Sequence, residues 1–163
     1  MTETILLAVI LIPCLIIAIV FHEVAHGWTA LALGDPTAKE QRRLSLNPIR
    51  HVDPIGTLLV PGALALFGGP IFGWAKPVPV RGDRLRDPRF GMVAVAAAGP
   101  ATNLVLAFIG ALVFGAVSGT IIASGGTPPD WLLSAGGMFI LINVFLALFN
   151  LLPIPPFDGS HIV

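Results

Sequence analysis

The feature that most constrains this sequence is a series of four long apolar stretches separated by short polar segments. They cover residues 5–33 and about 54–75, 90–123 and 131–153. A helix that crosses a bilayer needs about 20 consecutive apolar residues, and each stretch reaches that length. Charged residues make up 11% of the chain, whereas soluble domains have roughly 25%. The 163 residues are therefore predicted to form a single membrane-embedded domain of the all-α class.

The first stretch is interpreted as a membrane helix and not as a cleaved signal peptide. It begins MTETILL, with an acidic residue at Glu3 and no basic residue before the apolar run. Signal peptides start with a basic region, and their apolar core has about 7 to 15 residues. This run continues past Val20 to Leu33, which is too long for such a core.

The second stretch differs from the others because proline and glycine interrupt it throughout. The loops 34–54 and 76–89 that flank it contain all nine Lys and Arg residues of the chain. Short basic loops favour the cytoplasmic side of a membrane, so both ends of the stretch are expected there. We therefore prefer a re-entrant element with room for short β-strands over a kinked spanning helix. Three spanning helices are left, with the N-terminus outside and the end of the fourth stretch inside.

Residues 22–26 read HEVAH and lie within the first apolar stretch. His22 and His26 are one helical turn apart, since a turn takes about 3.6 residues, so both imidazoles can reach one metal ion. Glu23 lies beside them, near enough to act as a base toward water. This is the HExxH pattern of zinc hydrolases. Because ionisable groups within a membrane are usually functional, a metal site is favoured over two histidines that merely bond to neighbours.

A catalytic zinc ion usually has three protein ligands and one open position, so a third ligand is expected. The candidates are His51, Asp130 and Asp158. Counted from the outer ends of their stretches, HEVAH and the end of the fourth stretch both lie about 26 to 28 Å deep. Pro153 and the prolines after it let the chain bend back at that depth. Asp158 is therefore the predicted third ligand.

Three segments carry a resemblance to a known family. They are FHEVAHG at 21–27, AAGPATN at 97–103 and FNLLPIPPFDGS at 149–160. Together they resemble the site-2 protease family of intramembrane zinc metalloproteases, in its compact form without a PDZ or CBS domain. The last segment matches the family pattern NxxPxxxxDG. Within the middle segment, Gly99, Pro100 and Asn103 are expected to permit close packing of helices near the active centre.

The resemblance implies a role for each of five residues. His22, His26 and Asp158 bind one zinc ion, Glu23 is the catalytic base, and Asn150 acts near the active site. Two interpretations of Asn150 stay open. It could donate a hydrogen bond to the oxyanion that forms during hydrolysis. It could equally satisfy helix-end carbonyls that the following proline leaves without a donor.

The expected activity is hydrolysis of a peptide bond in the transmembrane segment of another membrane protein. The resemblance implies a single-span protein or a remnant signal peptide as substrate, with no nucleic acid as partner. The apolar stretches and basic loops predict a multi-pass protein of the cell membrane, surrounded by lipid, with its active site near the cytoplasmic side. Because relatives usually continue further, the chain is expected to be truncated after Val163. The rival hypothesis is a membrane metal carrier without proteolysis, which has no evident need for a base at Glu23.

The segment GWAKPVPV at 73–80 also resembles the compact members of the family. In an extended strand, Pro77 and Pro79 lie on one edge and offer no N–H group there. Lys76, Val78 and Val80 direct their N–H groups to the other edge. We expect that second edge to pair with an unwound substrate by strand addition. The alternative is a proline-rich connector without a binding role.

Overall fold

The structure is a computed structural model that describes residues 2–53, 55, 59, 60, 63, 66, 67, 76–155 and 157–162. Its helices are α1 (Thr2–Ala32), α2 (Thr37–Glu40), α3 (Pro88–Ala123) and α4 (Asp130–Asn150). Short 3₁₀ turns cover Pro48–His51, Gly82–Arg84 and Asp158–His161. Within these described ranges there is no β-strand, and the predicted all-α class is confirmed.

The three long helices α1, α3 and α4 form the body of the molecule. Each is long and apolar enough to cross a membrane, so the described residues contain three such helices, as predicted. Each packs against the other two. Large apolar side chains such as Val9, Phe108 and Leu141 are exposed on the outer faces of the bundle. An outward apolar surface of this kind is expected where lipid, and not water, surrounds the helices.

The ends of the helices follow from local sequence. Asp87 caps α3 by accepting hydrogen bonds from the backbone N–H groups of Arg89 and Phe90, and Pro88 occupies the first helical position. The helix α4 follows two prolines and ends three residues before Pro153, since proline cannot continue a helical hydrogen-bond ladder. These stops place the C-terminal ends of α1 and α4 on the same side as the N-terminal end of α3.

The packing between the helices uses small and aliphatic side chains. One buried cluster joins Cys14 and Ala18 of α1 to Ile142 of α4. A second cluster joins Ala30 of α1 to Val95 of α3 near the basic loops. Small residues let helix backbones approach closely within a membrane, and that approach brings the polar residues of the site together.

The predicted re-entrant element at 54–75 lies mostly outside the described residues, so its path stays a prediction. The chain is described again from Lys76, where residues 76–80 run extended. This extended segment returns to the bundle beside the C-terminal half of α1, and it forms one wall of the site.

Candidate metal centre and active site

The two histidines of HEVAH lie on the inner side of α1. His22 and His26 each have only 7% of their surface exposed. Their ring centroids are 4.7 Å apart, and the ring planes meet edge to face at 83°. The helical spacing therefore places the two imidazoles one above the other, as the sequence predicts.

Asp158 reaches both rings from the turn that follows α4. Its Oδ2 lies 3.1 Å from His22 Nε2 and 3.3 Å from His26 Nε2. The three ligand atoms all lie within 4.8 Å of one another. The other two candidates lie elsewhere: His51 bonds through Nε2 to the Ser45 carbonyl at 2.8 Å, and Asp130 begins α4 at its opposite end.

The position of Asp158 depends on the glycine after it. A Cβ atom at Gly159 would collide with the backbone of Leu151 and Leu152, so only glycine lets the turn fold this tightly onto the end of α4. Burial raises the pKa of the Asp158 carboxyl, but its contacts with the His22 and His26 imidazoles outweigh that effect and hold the pKa well below its usual range. The carboxylate is therefore ionised, which is the state that a metal ligand needs.

The other ring nitrogen of each histidine has its own partner. His26 Nδ1 donates to the Val95 carbonyl at 2.7 Å. His22 Nδ1 lies 2.5 Å from Asn103 Oδ1. Histidines that bind metal usually donate their second N–H group in this way, which fixes the orientation of the ring. Both Nε2 atoms are consequently directed at Asp158.

Gly99 of α3 leaves a small space against these nitrogens. A Cβ atom there would lie 2.5 Å from His26 Nε2 and 2.6 Å from His22 Nε2. Zinc binds imidazole nitrogen at about 2.0 to 2.1 Å and carboxylate oxygen at about 2.0 to 2.2 Å. Two imidazole nitrogens, one carboxylate oxygen and the space beside Gly99 suit a zinc ion with one open position.

Glu23 faces a cavity of about 330 Å³ between α1, α3 and the extended segment. Glu23, His26 and Asp158 line the cavity, together with Val78 of the extended segment and Met92 of α3. The backbone N–H group of Val78 donates to Glu23 Oε2 at 2.7 Å. The carboxylate that the sequence predicts as the base therefore lies beside the three ligand atoms, and the extended segment holds one of its oxygens.

Two buried charged residues hold the extended segment in place. At its start, the Arg43 guanidinium donates to the carbonyls of Lys76 at 2.5 Å and Pro77 at 3.3 Å. At its end, Asp35 Oδ2 accepts from the Arg81 N–H group at 2.6 Å. Arg43 is 6% exposed and Asp35 is fully buried. Because Arg43 holds the start of the segment and Asp35 holds its end, the segment is fixed across the cavity.

On the edge that the sequence assigns to substrate, the Val78 N–H group faces the Glu23 carboxylate. However, Lys76 N–H donates to the His51 carbonyl at 2.9 Å, and Val78 N–H is bonded to Glu23. In this structure these two donors are therefore held by the protein itself. A substrate strand that uses them has to replace those bonds.

Asn150 lies at the last position of α4, where its side-chain N–H group donates to the Leu146 carbonyl at 2.9 Å. The Leu146 carbonyl lies one turn earlier in the same helix and is not one that Pro153 leaves without a donor, so both interpretations of Asn150 stay open. Its contribution to catalysis stays a prediction.

Three residues that support the site were not predicted from the sequence. They are Arg43 and Asp35, which hold the extended segment, and Asn143, which accepts a hydrogen bond from Asn103. Asn143 offered a signal, because it is a lone amide within the apolar run FILINVF, and such groups usually bond to another helix. Arg43 and Asp35 offered none, since each is one of several charges in a basic loop. Their burial arises only when the loop folds against residues 76–81.

Three relatives match most of this chain. A Bacillus subtilis protein named "Putative zinc metalloprotease YwhC" is 44% identical over 156 residues, covering 94% of this chain and 67% of the relative. This chain belongs to that site-2 protease-like family of zinc metalloproteases. The relatives Rip2 of Mycolicibacterium smegmatis and MJ0611 of Methanocaldococcus jannaschii carry the same description, at 30% and 31% identity.

The family match extends over nearly the whole of this chain but not over the whole of its relatives. Rip2 and MJ0611 each align with 88% of the chain, which covers 52% of the first and 63% of the second. No family model matches the sequence, and no solved structure matches it. The family assignment supports a zinc metalloprotease. Proposals on the roles of individual residues depend on the geometry of the site.

Proposed function

We propose that this protein is an intramembrane zinc endopeptidase that cleaves within the transmembrane segment of other membrane proteins. One observation carries the proposal. His22, His26 and Asp158 converge, and Glu23 lines the same cavity as His26 and Asp158, within a bundle of three helices that are each able to span a membrane. In this proposal the three residues hold one zinc ion.

His22, His26 and Asp158 would hold the zinc ion, which would supply Lewis-acid chemistry by lowering the pKa of water to about 7 and polarising the scissile carbonyl. The residues of the chain supply the remaining steps. Before substrate binds, Val78 N–H holds Glu23 Oε2. A substrate strand paired at this edge takes over that N–H group and leaves the Glu23 carboxylate free to act as the base. Glu23 accepts a proton from the attacking water and then transfers it to the leaving amine. Asn150 is proposed to stabilise the oxyanion, a contribution of about 3 to 4 kcal/mol where such donors have been removed.

The proposed substrate is a single-span membrane protein or a remnant signal peptide in which a few residues have unwound. Unwinding is required because a helix hides its carbonyls in internal hydrogen bonds. The extended segment 76–80 runs along the cavity with an N–H edge toward Glu23, which suits an extended peptide. A strand paired at this edge places its backbone next to the base and the ligand atoms.

The proposed location is the cell membrane, with the site near the cytoplasmic face. The reason is that all nine Lys and Arg residues lie in the loops at this end of the bundle. The orientation is tested with Cys14→Ala protein that carries one new cysteine, Lys39→Cys in a basic loop or Ser124→Cys in the α3–α4 loop. In intact cells, an impermeant thiol reagent should label the cysteine at 124 and spare the one at 39. The reverse pattern contradicts the proposed orientation.

The function is tested by cleavage of single-span substrates in detergent and by metal analysis, with wild type beside Glu23→Gln. Gln keeps the shape of Glu but cannot accept the proton, so cleavage should fall at least about 100-fold while bound zinc is retained. Glu40→Gln, which changes an exposed glutamate in α2, is the matched control and should cleave normally. If Glu23→Gln binds zinc and cleaves like wild type, the protein is not a hydrolase of this kind.

A further inference from the structure

Two asparagines are completely buried among the spanning helices. Asn103 of α3 and Asn143 of α4 each have 0% of their surface exposed. A buried amide without hydrogen bonds destabilises a protein, so such groups are kept where they are bonded. Both are bonded here, and their bonds lead to His22.

The hydrogen bonds form a chain that crosses all three helices. His22 Nδ1 lies 2.5 Å from Asn103 Oδ1, and Asn103 Nδ2 donates to Asn143 Oδ1 at 2.8 Å. Asn143 Nδ2 then donates to the Phe139 carbonyl at 2.9 Å. Asn103 Nδ2 also donates to the Ala18 carbonyl of α1 at 3.2 Å.

The direction of this chain is determined at its far end. A backbone carbonyl can only accept, so Asn143 must turn its amide nitrogen to Phe139 and its oxygen to Asn103. Asn103 must then turn its nitrogen to Asn143 and Ala18, which leaves its oxygen for His22. An oxygen acceptor at 2.5 Å requires a proton on His22 Nδ1.

We infer that Asn103, oriented by Asn143, is a positioning residue that keeps the proton of His22 on Nδ1 and directs Nε2 to the metal. This inference rests on the metal site of the proposed function. The chemistry is that of a neutral imidazole, in which one nitrogen carries the proton and the other offers its lone pair. The helix α3 thereby orients one ligand on α1 through a side chain.

His26 provides a comparison within the same site. Its Nδ1 donates directly to the Val95 carbonyl, without an intervening side chain. A change at Asn103 should therefore alter the hydrogen bond of His22 and leave that of His26 intact.

The test measures zinc affinity and the Nδ1–H proton resonance of each histidine in the zinc-loaded protein in detergent. In wild type, both protons should be strongly deshielded and slow to exchange. In Asn103→Leu, the His22 resonance should lose its deshielding while that of His26 stays, and zinc affinity should fall about 10- to 100-fold. In Asn103→Asp, a carboxylate oxygen still accepts from His22, so the His22 resonance should be retained.

Two further variants separate positioning from simple packing. In Asn143→Leu, the Ala18 carbonyl still orients Asn103, so zinc affinity should fall less than in Asn103→Leu. In Ile142→Ala, a neighbouring core residue of the same helix is truncated, which should lower thermal stability but leave the His22 resonance unchanged. If Asn103→Leu does not fold, the other two variants decide the question. A retained His22 resonance in Asn103→Asp and a reduced zinc affinity in Asn143→Leu support the inference, and the opposite results overturn it.

An unchanged His22 resonance and zinc affinity in folded Asn103→Leu, or equal loss of both in Ile142→Ala, would overturn the inference. Failure of the proposed function has a different signature, since the wild-type protein would then bind zinc through these residues without cleaving, or would not bind it at all.

Discussion

The candidate site has two walls that are built in different ways. The helix wall, formed by α1 and α3, carries His22 and His26 and holds them through Asn103 and the Val95 carbonyl. The loop wall is the extended segment 76–80 with the Arg81 that follows it, and charged side chains from the basic loop hold it at both ends. The histidines of the helix wall are bonded between helices that pack along their length. The loop wall is held only by a few hydrogen bonds at its two ends.

This difference indicates that the two walls have separable tasks. Side chains on the helix wall set the position of the ligand atoms, so changes there should alter metal affinity. The loop wall orients Glu23 and is proposed to present an edge to substrate, so changes there should alter cleavage while metal binding persists. The predictions below separate the two walls, beginning with the largest effect.

Loss of the aspartate ligand should have the largest effect on metal binding. In Asp158→Asn, a neutral amide replaces the carboxylate between the two Nε2 atoms, so zinc affinity should fall by more than about 100-fold, beyond the 10- to 100-fold typical of outer-shell changes. Competition with a chelator measures the affinity. Asp83→Asn, which changes an exposed carboxylate, is the control. Stoichiometric tight zinc binding in Asp158→Asn would remove it from the ligand set.

A methyl group added at Gly99 on the helix wall should also lower zinc affinity. In Gly99→Ala, the new Cβ would lie within 2.6 Å of both Nε2 atoms, so the rings must shift and zinc affinity should fall about 10- to 100-fold. Gly115→Ala is the matched control on α3, because a Cβ there meets nothing within 4 Å. Equal zinc affinities in the two variants would show that α3 does not shape the site.

Release of the loop wall should reduce cleavage and spare zinc. Arg43→Gln removes the donors that hold the Lys76 and Pro77 carbonyls, so cleavage of membrane substrates should fall about 10-fold, the equivalent of one charge-assisted hydrogen bond. The control is Arg42→Gln, which changes an exposed neighbour of the same type. A parallel loss of zinc in Arg43→Gln would mean that the two walls are not separable.

The smallest effect is a change in acid stability, and it is expected from Asp35 at the other end of the loop wall. Burial raises the pKa of Asp35, but hydrogen bonds from Arg81 N–H and from Thr37 lower it below its usual value. The unfolded chain therefore binds this proton more readily, and the stabilisation is present above about pH 4 and lost as the pH falls through the lower folded pKa. Thermal unfolding at a series of pH values should show a smaller acid loss in Asp35→Asn than in wild type. An identical acid profile would contradict a bonded, ionised Asp35.

The sequence predicted the helices well because their signal is local. Apolar length, the prolines near residues 129 and 153, and the cap at Asp87 determine where α3 and α4 begin and end. The helical spacing of His22 and His26 is local as well. The match of Asp158 in depth was also accessible, since distance along a helix follows from residue number.

The tertiary structure decided which polar groups meet across the bundle. Asn103 and Asn143 come together over 40 positions of sequence, and Val78 meets Glu23 over 55. Hydrogen bonds of this kind leave no periodic pattern in the chain, because each depends on the relative rotation of helices and the path of a loop. The sequence by itself determined that a zinc-type motif lies in a membrane helix. Only the packed structure determined how its atoms are oriented, because orientation depends on partners from other helices.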